Sequence, residues 1–148
     1  MNFKTILGLV SRMAVGGVLM YAGFMKATGP AAEFAANLAA YKLFPSFLVS
    51  PLSLGVPYLE MWVGLFVFAG LYSRYASFAA AALFTAFVLV LGSALLRGID
   101  LTTCGCFGSD TLSPRYTILM DIVLLALSLM SAKINRFTPS WSLDKTLS

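Results

Sequence analysis

Residues 53–96 read SLGVPYLEMWVGLFVFAGLYSRYASFAAAALFTAFVLVLGSALL and contain only two charged side chains. A helix needs about 20 mainly apolar residues to cross the hydrocarbon core of a bilayer, so this stretch has room for two crossings. The pattern predicts transmembrane helices over about 53–71 and 75–96. Only Tyr72-Ser73-Arg74 remains between them, which indicates a tight antiparallel hairpin.

Two further apolar stretches flank this hairpin, over about 5–27 and 116–132. Of the 148 residues, 59% are hydrophobic and 11% are charged, and the mean hydropathy of +0.88 is typical of an integral membrane protein. We therefore predict an all-α membrane bundle of four helices that forms one domain over 1–148. Arg12 interrupts the first span and no small-residue cleavage site follows, so we expect this span to be retained rather than removed as a signal peptide.

A short segment over about 30–43 separates the first two spans and is too polar to cross the membrane. Its apolar residues Phe34, Leu38 and Tyr41 recur at i, i+4 and i+7, and Pro45 stops the pattern. We predict a short helix on the outer membrane surface. It is either an ordinary interfacial helix, or a lid over the third loop or a docking surface for a partner.

Basic residues near the ends of the spans set the expected orientation, because positive charge favours the cytoplasmic side. Six basic residues fall on the side of the two termini and four on the opposite side. We therefore predict a multi-pass protein of the bacterial inner membrane, with both termini in the cytoplasm and the third loop in the periplasm. The six are Lys4, Arg12, Arg74, Lys133, Arg136 and Lys145, and the four are Lys26, Lys42, Arg97 and Arg115.

The third loop contains the motif Cys104-Gly105-Cys106-Phe107-Gly108, which holds both cysteines of the chain. The chain has no histidine and six carboxylates, which excludes most catalytic constellations and most histidine-containing metal sites. Thiol chemistry at the cysteine pair is what remains. In the periplasm a disulfide between the two would persist.

Three interpretations of the pair stay open. The two sulfurs exchange disulfides with a partner, form a fixed disulfide or two inert thiols, or capture a soft metal such as copper(I) or mercury(II). We favour exchange, because closing so short a ring stabilises the fold little and Gly105, which lacks a Cβ, admits the backbone angles of a strained ring. Two thiolates make no closed zinc site, so we predict no resident metal.

Charged residues within or beside the spans are the supporting candidates, since a charge at bilayer depth usually finds a partner. Lys26 and Glu60 lie near the same face and are predicted to pair, with a proton relay or thiolate stabilisation as the alternative for Lys26. Asp121 either pairs with an arginine or accepts a proton during thiol oxidation. Arg97 either stabilises a thiolate or anchors the interface. Arg12 is expected to snorkel to lipid phosphates.

Residues along the whole chain resemble the MauE/DoxX-like family of small four-helix membrane proteins. The Cys-Gly-Cys-Phe-Gly element is the most selective part of this resemblance, and Phe107 and Gly108 are included among the supporting residues for that reason. The other matching residues are Arg12, Gly16, Ala22-Gly23-Phe24, Lys26, Tyr41, Pro45, Pro57, Glu60, Gly64, Gly70 and Arg97-Gly98.

The resemblance implies a role in periplasmic thiol chemistry. MauE-type proteins are tied to maturation of the disulfide-rich small subunit of methylamine dehydrogenase, and DoxX-type proteins to membrane redox complexes and quinone-linked sulfur oxidation. The layout also resembles membrane disulfide-generating enzymes of the DsbB and vitamin K epoxide reductase types, which pass electrons between two cysteine pairs and then to a quinone. This chain has one pair, so a quinone lies beside it or a thioredoxin-like protein supplies the second.

We therefore expect Cys104 and Cys106 to exchange disulfides with a periplasmic thioredoxin-like or disulfide-containing protein, with a membrane quinone as a candidate cofactor. Whether the chain is itself a thiol-disulfide oxidoreductase stays open. The alternatives are a noncatalytic subunit of a larger membrane complex and a soft-metal-binding protein. A nucleic-acid partner is not expected, because a net charge of +4 beside a bilayer sets topology.

Overall fold

The computed structural model describes residues 3–99 and 113–134, and within these ranges it contains helices and no strands. The helices are α1 (Phe3–Thr28), α2 (Ala31–Ala40), α3 (Ser46–Ala69), α4 (Ser73–Leu96) and α5 (Pro114–Ile134). All except α2 are long and apolar enough to cross a membrane. The predicted all-α architecture, with four spans and one shorter helix, is confirmed.

The start of α3 was predicted wrongly, because the helix begins at Ser46 rather than near position 53. Pro45 precedes it with an extended backbone (ψ 150°), and Pro51 and Pro57 both lie inside the helix. Each internal proline removes one backbone hydrogen bond. Transmembrane helices tolerate this loss where neighbouring helices and hydroxyl side chains satisfy the freed groups.

The hairpin turn also differs from the prediction and comprises residues 70–72. Gly70 ends α3 in the left-handed conformation (φ +73°), and the Leu71 amide donates to the Phe66 carbonyl at 3.0 Å. This pairing is typical of a glycine-terminated helix. Tyr72, also left-handed at φ 45°, then leads into α4 at Ser73. Gly70 was therefore the stop signal that fixed the turn.

The four long helices form a ring in which α1 packs on α3, α3 on α4, α4 on α5, and α5 on α1. A core of buried apolar residues fills its centre, and α2 packs across α3 and α1. We call the end that carries α2 the α2 end, and the end with the α3–α4 turn the hairpin end. The central core consists of Val15, Leu19, Val67, Ala76, Ala80, Phe84 and Leu124.

The α1–α3 interface is built on glycine. A Cβ at Gly16 would lie 2.7 Å from the Phe68 amide nitrogen and 2.8 Å from the Gly64 carbonyl oxygen, and a Cβ at Gly64 would lie 2.8 Å from the Met20 nitrogen. These neighbours are backbone atoms that cannot move aside. Small residues that let backbones approach are the main device of helix association in membranes, so this contact fixes how α1 and α3 face each other.

Candidate functional site

A buried ion pair joins α1 to α3. The Lys26 Nζ atom lies 2.6 Å and 2.8 Å from the two carboxylate oxygens of Glu60, and the two side chains are 2% and 0% exposed. The ion pair predicted from the sequence is therefore present. Charges at this depth need such a partner, because leaving one unpaired in lipid is costly.

Local sequence explains why the two helices bring these groups together. Lys26 lies in the last turn of α1, where a cation interacts favourably with the helix dipole. One turn earlier, a Cβ at Gly23 would lie 2.6 Å from the Pro57 carbonyl oxygen and 2.7 Å from Met61 Cγ. The glycine thus allows the backbones to touch beside the pair, which helps to keep water and lipid away from it.

A cavity of about 260 Å³ lies beside this pair at the α2 end. Its walls come mainly from α2, α3 and α4, with Lys26 contributed by α1. Among residues 3–99 and 113–134, Lys26 is the only charged residue that lines it. The Nζ atom sits 4.8 Å from the ring centre of Phe87 and 5.6 Å from that of Phe34, within cation–π range. The remaining wall residues are Leu38, Tyr41, Phe44, Leu52, Val56, Leu83, Ala86, Val90 and Leu91.

The ammonium group of Lys26 has hydrogen-bonding capacity beyond its pairing. A lysine ammonium carries three N–H donors, and two hydrogen bonds go to Glu60. No other oxygen or nitrogen acceptor for Nζ occurs among residues 3–99 and 113–134. Within the described part of the chain, one donor therefore remains beside the two aromatic rings.

Arg97 holds α2 in place over this cavity. Its Nη1 atom donates to the carbonyl oxygen of Tyr41 at 3.3 Å, which joins the residue after α4 to the residue after α2. Helix α2 ends there because Lys42 adopts a left-handed φ of 51°, so it is shorter than the predicted 30–43. The expected action of Arg97 on a cysteine thiolate stays a prediction.

At the hairpin end, Arg12 also donates a hydrogen bond to a backbone carbonyl near a helix end. It is 6% exposed, and its Nε atom donates to the Val67 carbonyl oxygen at 3.3 Å. The expectation that Arg12 snorkels to lipid phosphates is therefore wrong. The last carbonyls of α3 lack intrahelical partners, and a buried guanidinium satisfies one of them.

Asp121 lies inside the bundle on α5 and is 4% exposed. Thr117, Ser128 and Ser131 are also buried on this helix, so the inner face of α5 is unusually polar for a span. Sequence reasoning singled out Asp121 and missed the three hydroxyl residues. Thr117, Asp121, Ser128 and Ser131 follow one another at intervals of 4, 7 and 3 residues, which places all four on one face of a helix.

The motif Cys104-Gly105-Cys106-Phe107-Gly108 lies outside the described residues. The two described positions that bracket it, Ile99 and Ile118, both pack against the buried cluster of Leu38, Tyr41, Leu91 and Ala94. The chain thus leaves α4 and enters α5 at the α2 end, the end with the Lys26 cavity. In the described part of the chain, no three histidine, cysteine or acidic residues group as metal ligands.

Cavity walls were the main feature that sequence reasoning missed. The periodic Phe34, Leu38 and Tyr41 signalled the inner face of α2, and all three line the cavity. The wall residues of α4 gave no such signal, because that helix is apolar on all sides. A second cavity, of about 330 Å³ at the hairpin end, is lined by Phe78, Leu129, Ala132 and the exposed Arg74 and Lys133, and none of these described residues is both polar and buried.

Comparison with known proteins gives consistent results. A family model described as methylamine utilisation protein MauE matches residues 4–134. A Methylophilus methylotrophus protein named methylamine utilization protein MauE is 33% identical over 99 residues, which are 67% of this chain and 52% of that protein. The match thus spans about half the length of this curated relative. No solved structure matches the chain.

Proposed function

This chain belongs to the MauE family, and from that membership we propose that it is a membrane thiol-disulfide exchange protein with Cys104 and Cys106 as the exchanging pair. The observation that carries the proposal is the Cys-Gly-Cys motif, which holds both cysteines of the chain. Its bracketing residues are anchored at the end of the bundle that also holds the buried Lys26–Glu60 pair.

Oxidation of the partner by the Cys104–Cys106 disulfide takes place in two steps. A partner thiolate attacks the Cys104–Cys106 disulfide, and a mixed disulfide forms as the other cysteine leaves as a thiolate. The second partner thiol resolves the mixed disulfide, so the partner is oxidised and the cysteine pair is reduced. Two electrons and two protons must then leave the pair for an acceptor, and a membrane quinone, which becomes the quinol, is the acceptor that we propose.

The setting follows from the family and from the relative's name. We propose that the chain acts in a methylamine utilisation system, and that its partner is a disulfide-containing or thioredoxin-like protein in the periplasm. The bundle would lie in the bacterial inner membrane with both termini in the cytoplasm. The excess of basic residues on the side of the termini supports this orientation.

A redox titration tests the exchange. The full-length protein is kept in native membranes, equilibrated with defined thiol buffers, and trapped by alkylation so that reduced and oxidised forms separate by mass. We expect a reversible couple between about −120 and −230 mV, the range of known exchange proteins. A pair that stays oxidised to below about −300 mV, or never oxidises, contradicts the proposal.

Single cysteine variants identify the partner and the attacking sulfur. One of the two variants Cys104→Ser and Cys106→Ser should retain a mixed disulfide with a partner, and the double variant should retain none. A double variant that still supports maturation of the partner would make the chain a noncatalytic subunit. Stoichiometric copper(I) or mercury(II) binding that the double variant loses, without any disulfide exchange, would make it a metal-binding protein.

A further inference from the structure

We propose that the Lys26 cavity binds the head ring of a membrane quinone, a neutral cyclic dione, and that Lys26 donates the hydrogen bond that holds one of its carbonyl oxygens. The inference rests on the proposed function only for the redox use of the ligand. The binding itself follows from the cavity, its walls and the remaining donor of Lys26.

The charge balance of the cavity favours a neutral ligand. Of the described residues, Lys26 alone brings a charge to the wall, and its ammonium is already neutralised by Glu60 at 2.6 Å. A phosphate or carboxylate placed here would lose its hydration and face the carboxylate of Glu60. Burying an ion without a partner of its own is strongly unfavourable. Lipid head groups and charged metabolites are therefore poor ligands for this site.

The remaining donor requires that the neutral ligand carry an acceptor. A carbonyl oxygen within about 2.7–3.2 Å of Nζ would accept the N–H that Glu60 leaves unused. A hydrogen bond to a charged group is stronger than one between neutral groups, and a buried donor left without an acceptor is unfavourable. A pure hydrocarbon ligand offers no acceptor, so the site discriminates in favour of a ketone or dione.

The shape of the site favours a flat ring. Phe34 and Phe87 flank the ammonium at 5.6 Å and 4.8 Å, and aromatic side chains stack or pack edge-on against other rings. The volume of about 260 Å³ lies just below the range of roughly 300–1,000 Å³ for whole ligand sites. The cavity therefore accommodates a head group rather than a head group with its tail.

We place the exit for an isoprenoid tail beside Ala86. This residue lines the cavity and is exposed, as are its α4 neighbours Ala82 and Leu89. In a bilayer that surface meets lipid, so a tail leaving past Ala86 stays in hydrocarbon. On the inner side, Phe34 and Leu38 of α2 cover the cavity, and Arg97 holds α2 through the Tyr41 carbonyl.

Photolabelling of the full-length protein in phosphatidylcholine nanodiscs tests the inference. An azidobenzoquinone probe is crosslinked, labelled peptides are mapped by mass spectrometry, and decylubiquinone competes for the site. We expect labels on the cavity-lining segments of α2 and α4. Ala86→Phe, which fills the cavity, should lower labelling at least tenfold, whereas Ala82→Phe, on the same exposed helix surface one turn earlier, should leave it unchanged.

Two further comparisons separate the possible ligands. A double variant with Lys26→Met and Glu60→Met removes the donor without leaving an unpaired charge, and should weaken competition by decylubiquinone about tenfold or more. Decylbenzene, which has a ring and tail but no carbonyl, should compete poorly. Equal competition by decylbenzene, or unchanged labelling of Ala86→Phe, would overturn the inference, because the site would then be an acyl-chain groove or absent.

The same samples distinguish failure of this inference from failure of the exchange function. A double serine variant of Cys104 and Cys106 should bind the quinone as the unmodified chain does. If quinone binds but the cysteine pair shows no reversible couple, the exchange proposal alone fails. If the couple is reversible but Ala86→Phe binds quinone normally, the inferred binding site alone fails.

Discussion

Replacing Lys26 with methionine should destabilise the bundle severely. The variant leaves the Glu60 carboxylate, which is 0% exposed, without the two hydrogen bonds of 2.6 Å and 2.8 Å that it now accepts. Removing one partner of a buried pair costs about 3–5 kcal/mol, because the remaining charge stays buried without compensation. At about 1.4 kcal/mol per factor of ten, the unfolding equilibrium shifts by roughly two to almost four orders of magnitude.

The double replacement should recover most of that loss. With Lys26→Met and Glu60→Met together, two flexible apolar side chains of similar length fill the same space. Exchanging a whole buried ion pair for apolar residues is often neutral, or stabilising by about 1–4 kcal/mol. A double-mutant cycle of the parent, the two single variants and the double variant should therefore yield a coupling free energy of about 3 kcal/mol or more between the two positions.

Reversible unfolding in mixed micelles measures these differences. The protein is titrated with sodium dodecyl sulfate, and loss of helix is followed by far-ultraviolet circular dichroism for both single variants and the double. Lys4→Met, an exposed lysine on the same helix, serves as the control and should change the free energy of unfolding by no more than about 0.5 kcal/mol. A Lys26→Met variant within about 1 kcal/mol of the parent, or a double variant as unstable as the sum of the singles, would refute the reasoning.

Two glycine comparisons test the packing described above in the same assay. Gly16→Ala should lower the free energy of unfolding by about 1–3 kcal/mol, because its Cβ would meet backbone atoms of α3. At Gly17 a Cβ would meet nothing within 4 Å, so Gly17→Ala should be neutral or slightly stabilising. Equal effects of the two variants would argue against close α1–α3 packing. Gly70→Ala combines the strain of a positive φ, about 1–2 kcal/mol, with a clash against the Arg12 guanidinium, while Gly98→Ala carries only the strain. A Gly70 variant no less stable than the Gly98 variant would show that the Arg12 contact is weak.

The spans were predictable because length and hydropathy alone determine whether a helix crosses a bilayer. The Lys26–Glu60 pair was predictable for a related reason: few charges lay in apolar spans, and two of them fell near the same face. Neither inference needs a three-dimensional arrangement. The early start of α3 was missed because Ser46 to Leu52 mix serine and proline with apolar residues, which weakens the helical signal.

Contacts between segments far apart in the sequence could not be predicted from the sequence. The role of Arg12 depends on the last turn of α3 lying beside it, 55 residues further along the chain. The cavity depends on where α2 packs across α3 and α1, a position set by the hydrogen bond of Arg97 and by the packing of Leu38 against Leu91. No local pattern encodes these positions, so the cavity could be found only from the structure.

The residues of α1 and α3 that bind each other are far apart in the sequence, and this affects how the protein is inserted during synthesis. The two buried charges of α1 both bind groups of α3: Lys26 pairs with Glu60, 34 residues ahead, and Arg12 donates to Val67, 55 residues ahead. At about 5–20 residues per second, α1 waits roughly two to ten seconds for its partners. During that time two unpaired cations in lipid would cost about 5–7 kcal/mol together. We therefore expect α1 to remain beside the insertion machinery until α3 arrives, and the two helices to enter the bilayer as a pair.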